Sequence, residues 1–574
     1  MKVILLSKDT KDTREKSFWR IVIPDLILEE LTEHLKSGRP LETHAFLFGG
    51  FDSNRQIITV GRIRKTPEDA YEERSPVYIN LKEEYVIDSL EYARRNGFAI
   101  LDVHMHVGPI AAFFSSLDET SGKENGDWIR EVLNEAGVKE DIPWGMVVMD
   151  ERGARKAAIY DFQRRVFEEA FLNSPSELNG QANISFVEDF KERERLDRQL
   201  RIWGEEKQRT ISSLKVAVVG CGGTGCIICE QLARIGVFDF SLFDDDKVEK
   251  TNLNRLIGAY EKDIGRYKTD VISDAIKRVN PDARVTVFHE GISRNNLNKL
   301  VGHSLIIGTV DRSSSRLYLN EASIRYLIPY IDIGTGIGID EDGCVEEIGG
   351  QVIFVNPGTT PCLRCYDGFI DSREIAIDLL TDEELRVRRQ LGYVEGTNES
   401  PTAAVLPLNS AVVSVAMMEL LSLATGFVSK HAYIHFNAKD FRIDILDEEM
   451  ELKPNKSCPA CGIGGFLGLS DIPEQKYVTE SEIRELSTLS LKEKLVSTNI
   501  ISKEEPATVR VKELAEESEE VNIPVEVVSN LKRERISKRP GILKLILVDG
   551  IAPFYLLTRG FWRAIRRIRS GGRR

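Results

Sequence analysis

The hydrophobic and polar positions along the chain divide it into three regions. Up to about residue 162, two helical patterns occur near residues 82–95 and 126–136. A charged helix is predicted at about residues 187–207, and from Leu214 the pattern becomes strand, glycine-rich turn, helix and strand. That alternation predicts a doubly wound α/β domain that extends to about residue 468. Apolar runs in the first region predict strands at Ala45–Gly49, Ile57–Arg62, Phe98–Val103 and Trp144–Met149.

The last hundred residues are charged and irregular, with an acidic segment at Glu504–Glu520 and an apolar one at Gly541–Leu557. The final segment, Gly560–Arg574, fits a short basic amphipathic helix that would contact an acidic surface weakly. A flexible tail is the alternative, and a ubiquitin-like precursor ending at Gly571–Gly572 is a further one, although no β-grasp pattern precedes it. We leave residues 469–574 unassigned.

Composition narrows the class of protein. The chain has 574 residues, of which 42% are hydrophobic and 29% charged, which is typical of a globular protein with several domains. It contains no uncharged run of 18 apolar residues and no signal-peptide pattern at its N-terminus, so we expect a cytoplasmic protein. A net charge of −14 argues against nucleic acid as a partner.

Two histidines, His104 and His106, follow a strand-like run and are separated by one residue. Side chains repeat every two residues along a strand, so both would lie on one face. With Asp118 as a third ligand and water as a fourth, they would form the open kind of zinc site that catalyses reactions. Two histidines on an exposed strand are the alternative explanation of this spacing.

The wider pattern resembles the JAMM (MPN-type) metalloprotease signature, in which a distant glutamate precedes H-x-H and S-x-x-D. Here the glutamate opens ETHAFLFGG, and eight residues rather than seven separate the second histidine from the serine. Proteins of this kind cleave the amide bond after the C-terminal glycine of ubiquitin-like proteins. The resemblance implies an α+β domain over residues 1–165 with Glu42 as general base and acid, Ser115 helping to hold the oxyanion, and a catalytic Zn²⁺ held by His104, His106 and Asp118.

The segment LKVAVVGCGGTG places four glycines between a β-branched strand and a helix. Such glycines let phosphates approach the backbone at a helix N-terminus, where the helix dipole favours negative charge. Asp244 ends the next strand, where a carboxylate usually holds a ribose. Together these features predict a nucleotide site without distinguishing NAD from ATP. The four glycines are Gly220, Gly222, Gly223 and Gly225.

Three later segments, DDDKVEKTNLNR, DIGRYK and GTVDRSSSR, resemble adenylating enzymes of the ThiF/MoeB type, which activate ubiquitin and sulfur carriers. In that family, arginine and lysine bind the ATP phosphates and an aspartate works with Mg²⁺. The resemblance therefore implies an ATP and Mg²⁺ site made by Asn252, Arg255, Lys268 and Asp311 in a domain over residues 196–468, after a linker at 166–195.

A fourth segment, RLDRQLRIWG, resembles the R-Y-x-R-Q segment of the same family. By that resemblance Arg198 is an arginine finger that reaches into the site of a second subunit, which implies a homodimer. Leu256 stands where the family commonly has a glutamine.

Four of the eight cysteines form two C-x-x-C pairs. Four thiolates make a closed tetrahedral Zn²⁺ site, which stabilises structure rather than catalysing a reaction. A redox dithiol is the alternative. The pairs are Cys362 with Cys365 and Cys458 with Cys461.

No cysteine lies between Cys365 and Cys458, where ubiquitin-activating enzymes usually carry the cysteine that forms a thioester. The spare thiols are Cys221, Cys226, Cys229 and Cys344. We therefore expect the acyl-adenylate to pass directly to another thiol or to a sulfur donor.

The sequence as a whole predicts two fused enzymes: a peptidase and an adenylating enzyme that act on one partner with a C-terminal glycine. That partner is a ubiquitin-like or sulfur-carrier protein, with a conjugating enzyme or a sulfur donor downstream. One alternative is thiocarboxylate formation for the biosynthesis of a cofactor or an amino acid. Another is an N-terminal domain that only docks the partner, and a nicotinamide oxidoreductase is a third.

Overall fold

The computed structural model describes most of the first 471 residues and none of the predicted C-terminal tail, which therefore lies outside the described residues. The described ranges are 18–108, 111–135, 142–176, 193–339, 344–366, 369–370, 375, 378, 404–426, 431–446, 454–455, 457–462 and 465–471. They belong to one compact unit, Met1–Ser490.

The N-terminal part is a closed barrel of seven strands in the order β1-β3-β2-β6-β7-β8-β9. Strands β1 and β9 pair in parallel and close it. A separate hairpin of β4 (Tyr71–Ser75) and β5 (Tyr78–Leu81) lies outside the barrel. The barrel strands are β1 (Trp19–Val22), β2 (His44–Asp52), β3 (Ile57–Lys65), β6 (Ala99–Met105), β7 (Trp144–Met149), β8 (Arg155–Asp161) and β9 (Val166–Asn173).

Alternation along β2 and β6 sends side chains into two different cores, as the two-residue period of a strand requires. One set, which includes Leu47 and Leu101, packs with α1 (Asp25–Ser37). The other set packs under α2 (Glu83–Asn96) and α3 (Ser116–Glu135) and includes Phe46, Phe48 and Ile100.

Helix α3 begins ten residues before the predicted helical pattern near 126–136. Two glycines, Gly122 and Gly126, weaken the pattern in this stretch because glycine is a poor helix former. A Cβ at Gly122 would lie 2.4 Å from Met146 Sδ, and one at Gly126 would lie 2.6 Å from Tyr160 Cδ1. The glycines therefore allow the helix to approach the barrel closely.

The second part is an eight-stranded sheet in the order β12-β11-β10-β13-β14-β15-β16-β17. The first five strands of this order pair in parallel with one another, from β12 to β14, and the pairs β14–β15, β15–β16 and β16–β17 are antiparallel. The predicted doubly wound α/β domain is confirmed. Its strands are β10 (Lys215–Val219), β11 (Asp239–Phe243), β12 (Arg284–Phe288), β13 (Leu305–Gly308), β14 (Tyr330–Ile339), β15 (Val345–Val355), β16 (Tyr433–Asn437) and β17 (Arg442–Ile445).

Among the described residues, five helices with both ends defined accompany this sheet: α4 (Arg193–Ser212), α5 (Gly225–Arg234), α6 (Lys268–Val279), α7 (Ser313–Tyr326) and α8 (Leu406–Thr425). By length and composition alone α8 could cross a membrane, with a mean hydropathy of 1.6. It packs instead in the core against β14 and β15, through side chains such as Val412 and Leu420 that are fully buried.

Candidate functional site

The barrel brings His104, His106 and Asp118 together. The Nε2 atom of His104 lies 3.3 Å from Asp118 Oδ1, and that of His106 lies 3.5 Å from Asp118 Oδ2. Zn–N and Zn–O bonds of about 2.0–2.2 Å in a tetrahedron place ligand atoms roughly 3.3–3.5 Å apart. The three side chains therefore fit Zn²⁺, and one ligand atom from each lies within 4.8 Å of the others.

Asp118 is held beside the two histidines by hydrogen bonds at the start of α3. Ser115 precedes α3, and its Oγ accepts a hydrogen bond from the Asp118 N–H at 3.2 Å. In return the Asp118 carboxylate accepts the Ser115 N–H at 2.7 Å, so the pair caps the helix and aims Asp118 at the histidines. Burial alone would raise the pKa of Asp118, but hydrogen bonds from His104 and His106 lower it far below its ordinary value.

Glu42 lies just before β2, buried near the three candidate ligands. Burial raises the pKa of its carboxyl, and Asp118 adds to the effect, while His104 and His106 oppose it. A carboxylate with a raised pKa in this place suits a group that takes and returns a proton. The roles predicted for Glu42 and for Ser115, which the structure shows as a helix cap, remain predictions.

A second polar pair in the same pocket was not predicted. His44 Nε2 lies 3.3 Å from Asp102 Oδ1, and His44 Nδ1 lies 2.7 Å from Thr66 Oγ1. Burial would raise the pKa of Asp102, but the charge and hydrogen bond of His44 lower it. Both side chains line a pocket of about 280 Å³ that also contains Glu42 and His104. The two-residue period of a strand could have indicated Asp102, because it lies two residues before His104 on β6 and therefore on the same face.

The four cysteines of the C-x-x-C pairs form one cluster. The Sγ–Sγ distance is 3.9 Å for Cys362 to Cys365, 3.6 Å for Cys362 to Cys458 and 3.4 Å for Cys365 to Cys461. Zn–S bonds of about 2.3 Å in a tetrahedron place the sulfur atoms roughly 3.8 Å apart. The cluster therefore fits a structural Zn²⁺ that joins the segment after β15 to the C-terminal end of the second domain.

The glycine loop lies at the carboxyl end of β10, where the chain order reverses between β10 and β13. Such a switch point is where doubly wound sheets bind ligands. Gly220 has a φ of 93° and its carbonyl accepts a hydrogen bond from Thr309 Oγ1 at 2.6 Å. A Cβ on Gly225 would lie 1.9 Å from the Gly220 carbonyl oxygen, so the tight turn requires glycine there. Gly222, in contrast, has open space where a Cβ would be.

Lys268, the first residue of α6, lies among the carboxylates at the same edge. Its Nζ is 2.6 Å from Asp246 Oδ2. Burial alone would lower the pKa of Lys268, but the hydrogen bond to Asp246 and the charges of Asp244 and Asp311 raise it. Asp244 accepts the Cys221 N–H at 2.6 Å, and its pKa is raised chiefly by burial. The Lys268 ammonium group is therefore largely buried and lies where the sequence predicts the ATP phosphates to bind.

Three other predicted residues have different surroundings. The side chain of Arg255 covers Gly223, whose Cβ would lie 3.0 Å from Arg255 Cγ, and donates to the Thr251 carbonyl at 2.8 Å. Asn252 Oδ1 accepts the Glu249 N–H at 3.0 Å and so shapes the N-L-N-R turn. Arg198 is exposed on α4 and is not brought to the glycine loop by any contact described here.

Sequence reasoning missed two residues of the nucleotide site. The first is Asp246, which forms the ion pair with Lys268. It lies in the DDD run after β11, where the sequence motif indicates a role for Asp244 only. Asn409 is buried near the start of α8, its Nδ2 would lie 2.8 Å from a Cβ on Gly223, and its Oδ1 accepts from Thr335 Oγ1 at 3.1 Å. No sequence motif indicates Asn409, because it lies far along the chain from the glycine loop that it approaches.

Known proteins match the second domain. Residues 196–460 match the model of the ThiF family. The SAMP-activating enzyme E1 of Haloferax volcanii is 26% identical over 270 residues, covering 47% of this chain and 88% of that protein. The molybdopterin-synthase adenylyltransferase of Salmonella typhimurium is 28% identical over 267 residues, covering 46% and 93%. Ubiquitin-like modifier-activating enzyme 5 of Caenorhabditis briggsae is 29% identical over 257 residues, covering 42% of this chain and only 52% of that protein.

The family match does not include the barrel, which ends at Asn173. The match does include the glycine loop, the lysine on α6, the first C-x-x-C pair and Cys458 of the second pair. Residues 196–460 therefore form a ThiF-family domain.

Proposed function

We propose that the ThiF-family domain adenylates the C-terminal glycine of a ubiquitin-like or sulfur-carrier protein, using ATP and Mg²⁺. The names of the three relatives support an E1-like adenylyltransferase. The observation that carries the proposal is Lys268, a cation placed between three carboxylates at the switch point of the sheet.

The chemistry follows from the charges at this edge. The terminal carboxylate attacks the α-phosphorus of ATP, a new O–P bond forms, and the bond to the β-phosphate oxygen breaks to release pyrophosphate. Negative charge builds up on the phosphates, and cations nearby stabilise it. In the proposal Lys268 and Arg255 supply that charge, the amides of the glycine loop bind phosphate oxygens, and Asp311 holds Mg²⁺.

ATP–pyrophosphate exchange tests this proposal. The full chain is incubated with Mg²⁺, ATP, labelled pyrophosphate and a candidate small protein of the ubiquitin-like or sulfur-carrier type whose C-terminal residue is glycine. We expect exchange that depends on the terminal glycine, because the carboxylate is the nucleophile. Exchange that is unaffected when that glycine is deleted contradicts the proposal.

The next question is which group accepts the acyl group from the acyl-adenylate. Of the four thiols outside the C-x-x-C cluster, Cys344 is exposed in the acidic segment DEDGCVEE, and Cys221, Cys226 and Cys229 are buried. Burial raises the pKa of each buried thiol, that of Cys226 to about 11. Thiols in that state are poor nucleophiles. We therefore propose that the acyl group passes directly to a thiol of another protein or to a sulfur donor, with Arg198 contributed across a homodimer.

The same burial favours a second candidate outcome, in which the partner leaves as a thiocarboxylate. A thiocarboxylate on the partner after incubation with ATP and a sulfur donor supports sulfur transfer. An adduct on the chain that a reducing agent removes supports conjugation through a thioester.

For the barrel we propose a zinc peptidase that cleaves after the terminal glycine of the same partner. His104, His106 and Asp118 would hold Zn²⁺, which when bound lowers the pKa of a coordinated water to about 7. Glu42, whose pKa burial raises, is placed to take a proton and to return it to the leaving amine. The pocket with the His44–Asp102 pair lies beside these groups and could receive the substrate.

Zinc content and cleavage test the barrel proposal. We expect two Zn²⁺ per chain in the native protein and one after His104→Ala with His106→Ala. Glu42→Gln should keep both metals but lose cleavage of a protein fused after the partner's terminal glycine. If the native chain holds no zinc beyond that of the four cysteines, the barrel is a docking module.

A further inference from the structure

Seven residues, 465–471, which begin four positions after Cys461, lie between the barrel and the ThiF-family domain. We propose that these residues are a clamp that fixes the barrel to the domain, and that the four-cysteine Zn²⁺ site anchors this clamp. The inference does not depend on the reaction of either part. It gives the cysteine cluster a second role beyond stabilising its own domain.

The clamp binds the barrel through its backbone. The Gly468 carbonyl accepts hydrogen bonds from the Gly50 N–H at 2.8 Å and from Thr59 Oγ1 at 3.0 Å. The Arg62 guanidinium donates to the carbonyls of Leu467 at 3.2 Å and Gly465 at 2.9 Å. These groups belong to β2 and β3, beside the bulge at Phe48/Gly49 where their register shifts.

Glycines on the barrel strands permit this close approach. A Cβ on Gly61 would lie 2.0 Å from the Leu467 carbonyl oxygen, and one on Gly50 would lie 2.3 Å from that of Leu469. Neither glycine has a positive φ, so only the clamp requires the missing side chain. Leu469 is 1% exposed and completes the core that Phe48 and Trp144 form under α2 and α3.

The other side of the clamp binds the end of α7. The Gly468 N–H donates to the Ile324 carbonyl at 3.1 Å, and the Ser470 N–H donates to the Arg325 carbonyl at 3.0 Å. Tyr326 Oη donates to Asp471 Oδ1 at 2.5 Å. The Arg325 guanidinium also lies 4.7 Å from the centre of the Phe466 ring.

The cysteine cluster determines where the clamp starts. The Phe466 N–H donates to the Ala460 carbonyl at 2.7 Å, inside the Cys458–Cys461 turn. The Gly462 N–H donates to the Cys458 carbonyl at 2.9 Å. Cys458 and Cys461 would bind the same Zn²⁺ as Cys362 and Cys365, so loss of the metal detaches this turn from the first pair and removes the fixed start of the clamp.

The clamp has a consequence for the two candidate centres. It contacts β2 at Gly50, about 20 Å along an extended strand from His44 at the metal end. It contacts the domain at the C-terminal end of α7, which precedes β14, whereas the glycine loop lies at the carboxyl ends of the parallel strands. Each candidate centre therefore lies away from the clamp within its own part of the structure.

Hydrogen–deuterium exchange of the full chain tests the clamp. Gly61→Ala places a methyl group against the Leu467 carbonyl while all metal ligands remain. We expect exchange in peptides covering 46–62 and 321–327 to rise at least tenfold, with unchanged zinc content. The matched control is Gly336→Ala, a strand glycine with open space around its Cβ position, which should leave both peptides unchanged. Native-like exchange in both peptides of Gly61→Ala overturns the clamp.

The anchoring role of zinc is tested separately in the His104→Ala, His106→Ala background, where the cysteine cluster holds the only expected Zn²⁺. Stepwise chelation should raise exchange in the same two peptides in proportion to the zinc lost, and added zinc should reverse it. Complete loss of zinc with unchanged exchange in both peptides overturns the anchoring role. Cys458→Ser should give the chelated pattern without a chelator.

Discussion

Replacing Lys268 by methionine removes the cation at the switch point while keeping most of the volume of the side chain. In the structure its Nζ lies 2.6 Å from Asp246 Oδ2, and its side chain is only 12% exposed. A hydrogen bond between charged groups contributes about 1.5–3 kcal/mol, which corresponds to a roughly 10- to 150-fold change in Kd. Removing the cation also leaves Asp244, Asp246 and Asp311 to repel the incoming phosphates. We therefore expect a loss of Mg·ATP affinity of about 100-fold.

Isothermal titration of Mg·ATP into the full chain measures this loss. Lys268→Arg, which keeps the charge, should lose less than Lys268→Met. Lys262→Met is the matched control, because this lysine is exposed on a nearby turn, and it should bind nucleotide like the native protein. A Kd for Lys268→Met within twofold of the native value would refute the assignment of Lys268 to the phosphates.

Three further substitutions test other parts of the structure. Burial lowers the pKa of His303 to about 4, so between pH 6.5 and 4 only the unfolded chain takes up its proton, and the free energy of unfolding falls by about 1.4 kcal/mol per pH unit. Urea unfolding curves measured between pH 4 and 6.5 give this pH dependence of the free energy of unfolding, and His303→Gln should remove it. The same pH dependence in the variant would show that buried, neutral His303 is not its source. Gly225→Ala should abolish Mg·ATP binding in the same titration, since its Cβ would lie 1.9 Å from the Gly220 carbonyl oxygen; native affinity would show that the loop is not the site. Tyr330→Phe removes the 2.6 Å hydrogen bond to fully buried Asp332 and should lower the free energy of urea unfolding by about 2 kcal/mol, and no change would mean that the bond contributes nothing net.

Local periodicity explains what could be predicted. The strand period of two places His104 and His106 on one face, and the structure confirms that geometry by bringing both to Asp118. The strand–glycine–helix pattern identified the α/β domain, because β-branched strands and a glycine turn have strong local preferences. The strand at Trp144–Met149 was predicted with the bounds that the structure has.

Long-range packing explains what could not be predicted. Asn409 reaches the glycine loop only because α8 packs on β14 and β15, which no local pattern reveals. The strand β9 carries the acidic pair Glu168 and Glu169, which hides its alternation, yet pairing with β8 and β1 forms it. From the sequence alone, residues 465–471 are indistinguishable from the end of a domain. Their contacts with the barrel involve glycines such as Gly61, which lie hundreds of residues earlier in the chain.

The direct test of adenylation is the mass of the partner after reaction. The full chain is incubated with Mg·ATP, pyrophosphatase and a candidate ubiquitin-like or sulfur-carrier protein that ends in glycine, and this partner is then analysed by intact and fragment mass spectrometry. We predict AMP on the terminal glycine carboxylate of the partner, and no AMP there when the Lys268→Met variant replaces the native chain. AMP on a side chain, or an unmodified partner despite Mg·ATP binding, would contradict this prediction.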